Sequence, residues 1–288
     1  MTSIVIAAHN ERAVIGRCLD ALLAEAAPGE FEVTVVANGC TDETAAIAAA
    51  RPGVRVVELA EAGKPAALNA GDEATRGFPR IYLDADIVLS TQGVRAVAAA
   101  LDGPHLAATV RRELDLTGRP ILVRAYFSVH RRLPVFRDGL FGRGVIGLSE
   151  AGRHRFDRFP ALVADDLFLD SLFGAAEKRQ VDTVSSRVAT PRRTGDLVRR
   201  LSRVRRGNSA MRAAAGQGQV GARVHPAARL SWLRDVVIPR PWLAPAALCY
   251  VAITVLAALS ARSHAEGAAG WGRDDSSRQE EAHAPVRR

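Results

Sequence analysis

The hydrophobic period of the first hundred residues switches repeatedly, and this limits the possible folds more than any other feature. Residues 4–8 form a short apolar run, as a buried strand does. Residues 13–26 then show helical spacing, with Val14, Ile15, Cys18, Leu19, Leu22 and Leu23 on one face, until Pro28 and Gly29 end the pattern. Residues 31–37 predict a second strand, 42–50 a helix with Thr41 as N-cap, 54–59 a third strand, 65–76 a helix and 80–83 a fourth strand. Strands and helices alternating at this rhythm imply βαβ units and a largely parallel sheet. Right-handed crossovers then set the C-terminal ends of the strands along one edge, where ligands of open α/β sheets bind.

Every one of these strands ends in polar residues. The first runs into His9, Asn10 and Glu11, and the second into Asn38, Gly39, Cys40, Thr41 and Asp42. After the third comes Gly63-Lys64-Pro65-Ala66-Ala67-Leu68-Asn69, and the fourth closes on Asp84-Ala85-Asp86. On an extended chain, carboxylates at i and i+2 point to the same side. Such a pair repels itself unless a cation or hydrogen-bond donors compensate. A hard divalent ion, Mg²⁺ or Mn²⁺, suits these oxygen ligands and also bridges to phosphate. Lys occurs only at Lys64 and Lys178, so 37 of the 39 basic residues are Arg, and a lysine inside this set carries some weight. Four polar strand ends on one edge offer what a nucleotide needs: amides and carboxylates for base and ribose, a cationic side chain, and a metal site for the diphosphate.

These motifs, in this order and spacing, resemble the family 2 glycosyltransferases. The resembling segments are residues 7–11, 36–44, 63–69 and 84–86. Residues 142–153 are similar to the family's glycine-rich acceptor segment, and Asp165-Asp166-Leu167-Phe168-Leu169 to its Glu-Asp-x-x-Leu motif. The resemblance spans about residues 3–210. It implies a GT-A fold: a Rossmann-like, mostly parallel mixed sheet flanked by helices. It further implies inverting transfer of a sugar from a nucleotide-diphosphate donor to an acceptor hydroxyl. By the same resemblance Ala8, Asn10, Glu11, Asn38 and Asp42 line the nucleotide pocket, with Lys64 and Asn69 beside them. Asp86 holds the metal, Asp84 contacts the ribose or the metal, Gly142, Gly144 and Asp165 form the acceptor side, and Asp166 is the general base.

The sequence departs from the family in three places. Many relatives carry acidic residues where Ala37 and Asn38 stand, and Asp165 replaces the usual Glu. The Gln-x-x-Arg-Trp motif is missing; Arg206, near its expected place, is a candidate diphosphate contact, and processive polymer synthesis is not expected. A GxGxxG at residues 142–147 is not expected to bind a dinucleotide, because it does not follow the first strand of a βαβ unit. Two other functions compete with this one. A nucleotidyltransferase needs a glycine-rich basic loop after the first strand, and His9-Asn10-Glu11 supplies none. A non-catalytic arginine-rich binder would have no use for two carboxylate sites.

Residues 242–261 carry no charge and include seven Leu, Ile or Val and seven Ala. At about 1.5 Å per residue they reach about 30 Å, the thickness of a bilayer core. The expected organisation is a catalytic domain at 1–225, a basic linker at 226–241, a transmembrane or membrane-associated helix at 242–261 and a disordered tail at 262–288. The arginines before the helix (Arg223, Arg229, Arg234, Arg240) favour a cytoplasmic catalytic domain, and no signal peptide is expected. The acceptor is then expected to be a lipid or another envelope intermediate. Seven arginines at residues 192–206 lack interleaved aromatics, so nucleic acid is not an expected partner. A net charge of +8 agrees with an anionic ligand or surface. Charged residues at 24% and hydrophobic residues at 48% exclude a disordered chain and a multi-span membrane protein. Three widely spaced cysteines form no metal knuckle or disulfide framework.

Overall fold

The computed structural model describes residues 1–162, 164–217 and 230–263. The expected tail and much of the expected linker lie outside these residues. The chain divides into two compact units, the first formed by residues 1–114 and 140–188, the second by 115–139 and 189–288.

The elements of the first unit run β1 (Thr2–Ala8), α1 (Ile15–Leu23), β2 (Phe31–Asn38), α2 (Thr44–Ala49), β3 (Val54–Leu59), α3 (Lys64–Ala74), β4 (Arg80–Asp84), α4 (Thr91–Ala100) and β5 (Ala107–Asp115). The second unit contributes α5 (Ile121–His130) and α6 (Val135–Asp138). The first resumes with β6 (Val145–Leu148), α7 (Glu150–Arg153), α8 (Asp165–Ser171) and β7 (Lys178–Ala189). The second ends with α9 (Thr194–Gly216), a π-helical turn (Trp232–Val237), a 3₁₀ turn (Pro241–Leu243) and α10 (Ala244–Ser263).

Seven strands form one sheet in the order β3-β2-β1-β4-β6-β5-β7. The first four are mutually parallel, as the period changes predict, and β6 runs antiparallel to both β4 and β5. β1 is buried on both faces. Ile4, Ile6 and Ala8 join the core formed with Ile15, Cys18, Leu19 and Leu22 of α1 and with Val94 and Val97 of α4. Those α1 positions repeat at i, i+3, i+4 and i+7, so one helical stripe buries against the sheet. Val5 points the other way, toward α3, where Gly71 leaves no room: a Cβ there would stand 2.3 Å from Val5 Cγ1. Gly71→Ala is therefore expected to cost about 1–3 kcal/mol, seen as a lower denaturant midpoint at unchanged m-value.

Two local expectations need correction. α2 begins at Thr44 rather than residue 42, and Thr41 does not cap it. The Asp42 side chain accepts the Thr44 N–H (3.1 Å) and thereby holds the residues before the helix in a turn. β4 ends at Asp84, and the chain then turns, with the Ile87 N–H donating to the Asp84 carbonyl (3.1 Å), so Asp86 sits in a turn rather than on extended chain. The glycine-rich segment at residues 142–147 leads into β6, not into a helix, which removes the geometry a dinucleotide site requires.

Candidate active site

Strand register brings the expected loops together in the first unit. Ala8 lies beside Ala37, Ala7 beside Asp84, and Asn38 beside Leu59, so four strand ends finish level on one edge. Antiparallel β6 enters at the same edge: Val145 pairs with Leu83, and the Asp84 N–H donates to the Gly144 carbonyl (2.9 Å). Gly144 has φ 66°, and a Cβ on it would stand 2.3 Å from Ile87 Cγ1 and 3.1 Å from Asp84 Oδ2. Glycine here serves two needs, a left-handed turn and close approach to the carboxylate.

Lys64, at the start of α3, ties the two halves of the site together. Its Nζ lies 2.8 Å from Asp84 Oδ1 and 2.8 Å from Asp165 Oδ2. Burial opposes its charge, but the Asp165 and Asp84 carboxylates outweigh that and raise its pKa well above the usual lysine value. Asp165 and Asp166 open α8. Asp166 Oδ2 accepts the Gly142 N–H (3.2 Å) and Oδ1 accepts the Leu167 N–H (2.8 Å). Desolvation first, and then the neighbouring Asp165 charge, push the Asp166 carboxyl up to about 6, against the opposing pull of Lys64. A carboxylate tuned toward neutrality beside the glycine loop is equipped to take a proton near physiological pH.

The residues expected on the donor side fall into two groups. Asn10 and Asp42 lie on the two facing loops. Asn10, with φ 52°, accepts the Thr41 N–H (2.6 Å) through Oδ1, and Asp42 Oδ2 accepts the Arg12 N–H (3.3 Å). The Glu11 N–H donates to Thr44 Oγ1 (2.7 Å), and its carbonyl receives the first N–H groups of α1. The other group is structural. Asn38 is fully buried; its Nδ2 donates to the Ala8 carbonyl (2.7 Å) and its Oδ1 accepts the Gly63 N–H (2.9 Å). Asn38 and the equally buried Ala8 therefore hold the ends of β1 and β2 and the start of α3 together. Asn69 is spent on Phe159, donating to its carbonyl (3.1 Å) and accepting its N–H (2.8 Å), and so fixes the segment leading to α8. Arg206 is exposed on α9, in the second unit.

Asp84 and Asp86 offer oxygen ligands only. Among the described residues, no group of three or more His, Cys, Asp or Glu side chains could hold a metal ion. Mg²⁺ commonly needs no such cage: one or two carboxylates suffice when substrate phosphates and water complete the shell. The Asp84 side chain remains 41% exposed even with Lys64 bound, and Asp86 is half-buried in the adjoining turn. Burial pushes the Cys18 thiol up to about 12, with Asp86, Asp84 and Glu11 adding to the rise, so these three carboxylates lie within electrostatic range of one point on α1. The donor set fits a hard divalent ion.

Sequence reasoning did not find the supports behind this site. Asp170 of α8 accepts the Leu140 N–H (2.8 Å) and pairs with Lys178 (2.9 Å), anchoring the approach to the glycine loop. Both lysines of the chain thus end on carboxylates of α8, and their rarity was the only available signal. Asp72 forms a buried cluster with Arg80, Arg153 and the Tyr82 hydroxyl, and no motif marked it.

Residues 3–144 match the family model described as Glycosyl transferase family 2. Among solved structures, the chain is similar to the mannosyltransferase PcManGT from Pyrobaculum calidifontis in complex with GDP-Man and Mn²⁺. The identity is 20% and the TM-score 0.58, over 92% of this chain and 79% of that one. It is also similar to S. aureus TarS 1–349 in complex with UDP-GlcNAc, at 16% identity and TM-score 0.51, over 70% of this chain and 65% of that one. A third is glucosyl-3-phosphoglycerate synthase from Mycobacterium tuberculosis in complex with Mn²⁺, UDP and glucosyl-3-phosphoglycerate. There the identity is 20% and the TM-score 0.50, over 68% of this chain and 74% of that one. No curated protein matches the sequence. At these identities the structural likeness establishes the GT-A fold, and the family match adds the chemistry: the chain belongs to glycosyl transferase family 2 and is a glycosyltransferase.

Proposed function

We propose that the protein transfers a sugar from a nucleotide-diphosphate donor to an acceptor hydroxyl with inversion, assisted by Mg²⁺ or Mn²⁺, at the cytoplasmic face of a membrane. The observation that carries this reading is the Lys64 bridge between Asp84 and Asp165. It joins the donor-strand end to the helix bearing Asp166 in one unit. The nucleotides in the similar structures, GDP-Man and UDP-GlcNAc, support a nucleotide-sugar donor.

In this reading the loops at Asn10, Glu11 and Asp42 hold the nucleotide, and the buried Asn38 keeps them in register. Asp84 and Asp86 would hold the ion, which when bound offsets charge on the leaving diphosphate. The acceptor binds against Gly142 and Gly144. Its hydroxyl proton passes to the Asp166 carboxylate as the oxygen bonds to the anomeric carbon and the bond to the diphosphate breaks. Single displacement from the far side inverts the centre. The Gly142 N–H steadies the carboxylate before transfer. Lys64 pairs with Asp165 rather than with Asp166, which leaves the Asp166 carboxylate for the acceptor proton.

Membrane attachment is supported by residues 241–263, among the described residues the one helical segment long and apolar enough to cross a bilayer, and most of it is not buried. The arginines that precede it favour a cytoplasmic catalytic unit, and a lipid-borne acceptor would be within reach there. The reading is tested by sugar transfer or donor hydrolysis from GDP- and UDP-sugars with Mn²⁺. Chelation or Asp86→Ala is expected to reduce turnover at least 100-fold; turnover indifferent to both contradicts the metal assignment.

A further inference from the structure

We propose that the second unit rests on the surface of an anionic lipid bilayer, with α10 lying in the plane of the interface rather than crossing it. The inference builds on the membrane attachment proposed above and adds its mode. α10 has two apolar faces. One, through Ala247, Ile253 and Ala257, is buried, and α10 packs along both α5 and α9. The other carries Leu248, Ala252, Val255, Leu256 and Leu259 at helical spacing and is exposed, Leu248 by 74%. A helix on the surface of a water-soluble protein turns polar residues outward. This outward face has none between Leu248 and Leu259, so it is suited to an apolar medium.

Charge identifies the medium. Arg131 and Arg240 lie within electrostatic range of Arg132, forming a cationic group where the chain enters α10. In the same stretch of chain as Arg240, Ile238 is 66% and Trp242 71% exposed. Arginines beside an exposed Trp and an apolar helix face match the contact of an interfacial helix with anionic headgroups.

The neighbour of α10 argues against crossing. Arg205 of α9 lies within electrostatic range of Tyr250, in the first half of α10. Arg199, Arg205, Arg206 and Arg212 are all exposed on α9. If α10 spanned the bilayer, the helix packed along it would carry these arginines into hydrocarbon, where charge is costly. Lying in the interface, α10 immerses only its outward face, and the arginines keep water and headgroups.

The test uses the full chain with Ser263→Cys, the last residue of α10, or Asp102→Cys, on the first unit. Each is probed with a membrane-impermeant maleimide in inverted and in right-side-out vesicles, and the label is read at the engineered cysteine by peptide mass spectrometry, apart from the native thiols. Both sites are expected to label from the same side. The purified protein is expected to co-float with vesicles containing phosphatidylglycerol about tenfold more than with phosphatidylcholine alone. Combined Arg131→Gln and Arg240→Gln should remove that preference. Ser263→Cys labelled only from the side opposite Asp102→Cys overturns the in-plane arrangement while leaving membrane attachment intact. Failure to co-float with either vesicle, or a vesicle-free dimer that shields α10 instead, overturns both. Sugar transfer to a soluble acceptor would persist in every case, so these failures are distinct from failure of the transferase reading.

Discussion

Asp166→Asn is expected to lower kcat by about 10²–10⁴-fold and to leave nucleotide affinity nearly unchanged. The amide keeps the shape of the side chain and can still accept the Gly142 N–H, but it cannot take the acceptor proton. The wild-type rate should rise with pH through about 6, because burial and Asp165 raise the Asp166 carboxyl to that value and only its ionised form is a base. The variant should lose this limb of the profile. Stability should move the other way. A carboxyl whose folded pKa lies above its unfolded value contributes stability at low pH that is lost as pH rises through the folded value. Asp166→Asn removes that loss, so its Tm at pH 8 is expected to equal or exceed that of the wild type. A variant that is inactive and less stable would point to a structural role instead.

Lys64→Met is expected to damage both stability and turnover. It leaves the Asp84 and Asp165 carboxylates facing one another without the ammonium that lies 2.8 Å from each. Removing one partner of a fully buried pair costs about 3–5 kcal/mol; here the side chains of Lys64, Asp84 and Asp165 are 24%, 41% and 20% exposed, and solvent screening reduces the expectation to about 1–3 kcal/mol. The pH profile separates electrostatic from packing effects. Lys64 holds the Asp166 carboxyl down, so without it the acid limb of kcat/KM should move to higher pH. Lys64→Arg should restore the position of that limb more fully than the rate, because a planar guanidinium does not reproduce the geometry of a point charge. A profile unmoved in Lys64→Met would show that Asp166 does not titrate in catalysis.

The parallel half of the sheet was legible because each of its strands is a short apolar run ending in polar residues, and register did the rest. The carboxylates at Asp84, Asp86, Asp165 and Asp166 were legible as motifs. Their connection was not: Lys64 reaches both Asp84 and Asp165, and no local pattern encodes contacts at that separation. Asn38 and Asn69, which the resemblance sets at the nucleotide, each bond backbone groups, and an amide serves a backbone N–H and a nucleotide equally well, so the residue type alone does not tell the two apart. The place of β6 between β4 and β5 also escaped the sequence, because a four-residue strand carries too little pattern to choose its neighbours. The second unit was missed for a different reason: it is assembled from two separated stretches, one of which interrupts the first unit.

In the proposed reaction the β4 carboxylates and Asp166 act on the same bound substrates. Paramagnetic broadening of amide signals by Mn²⁺, added together with GDP or UDP, tests it most directly. The account predicts selective loss of the Gly142, Gly144, Asp166 and Leu167 signals along with those next to Asp86, and their return when Mg²⁺ replaces Mn²⁺. Broadening confined to the β4 end, with the amides of α8 and the glycine loop unaffected, would contradict it.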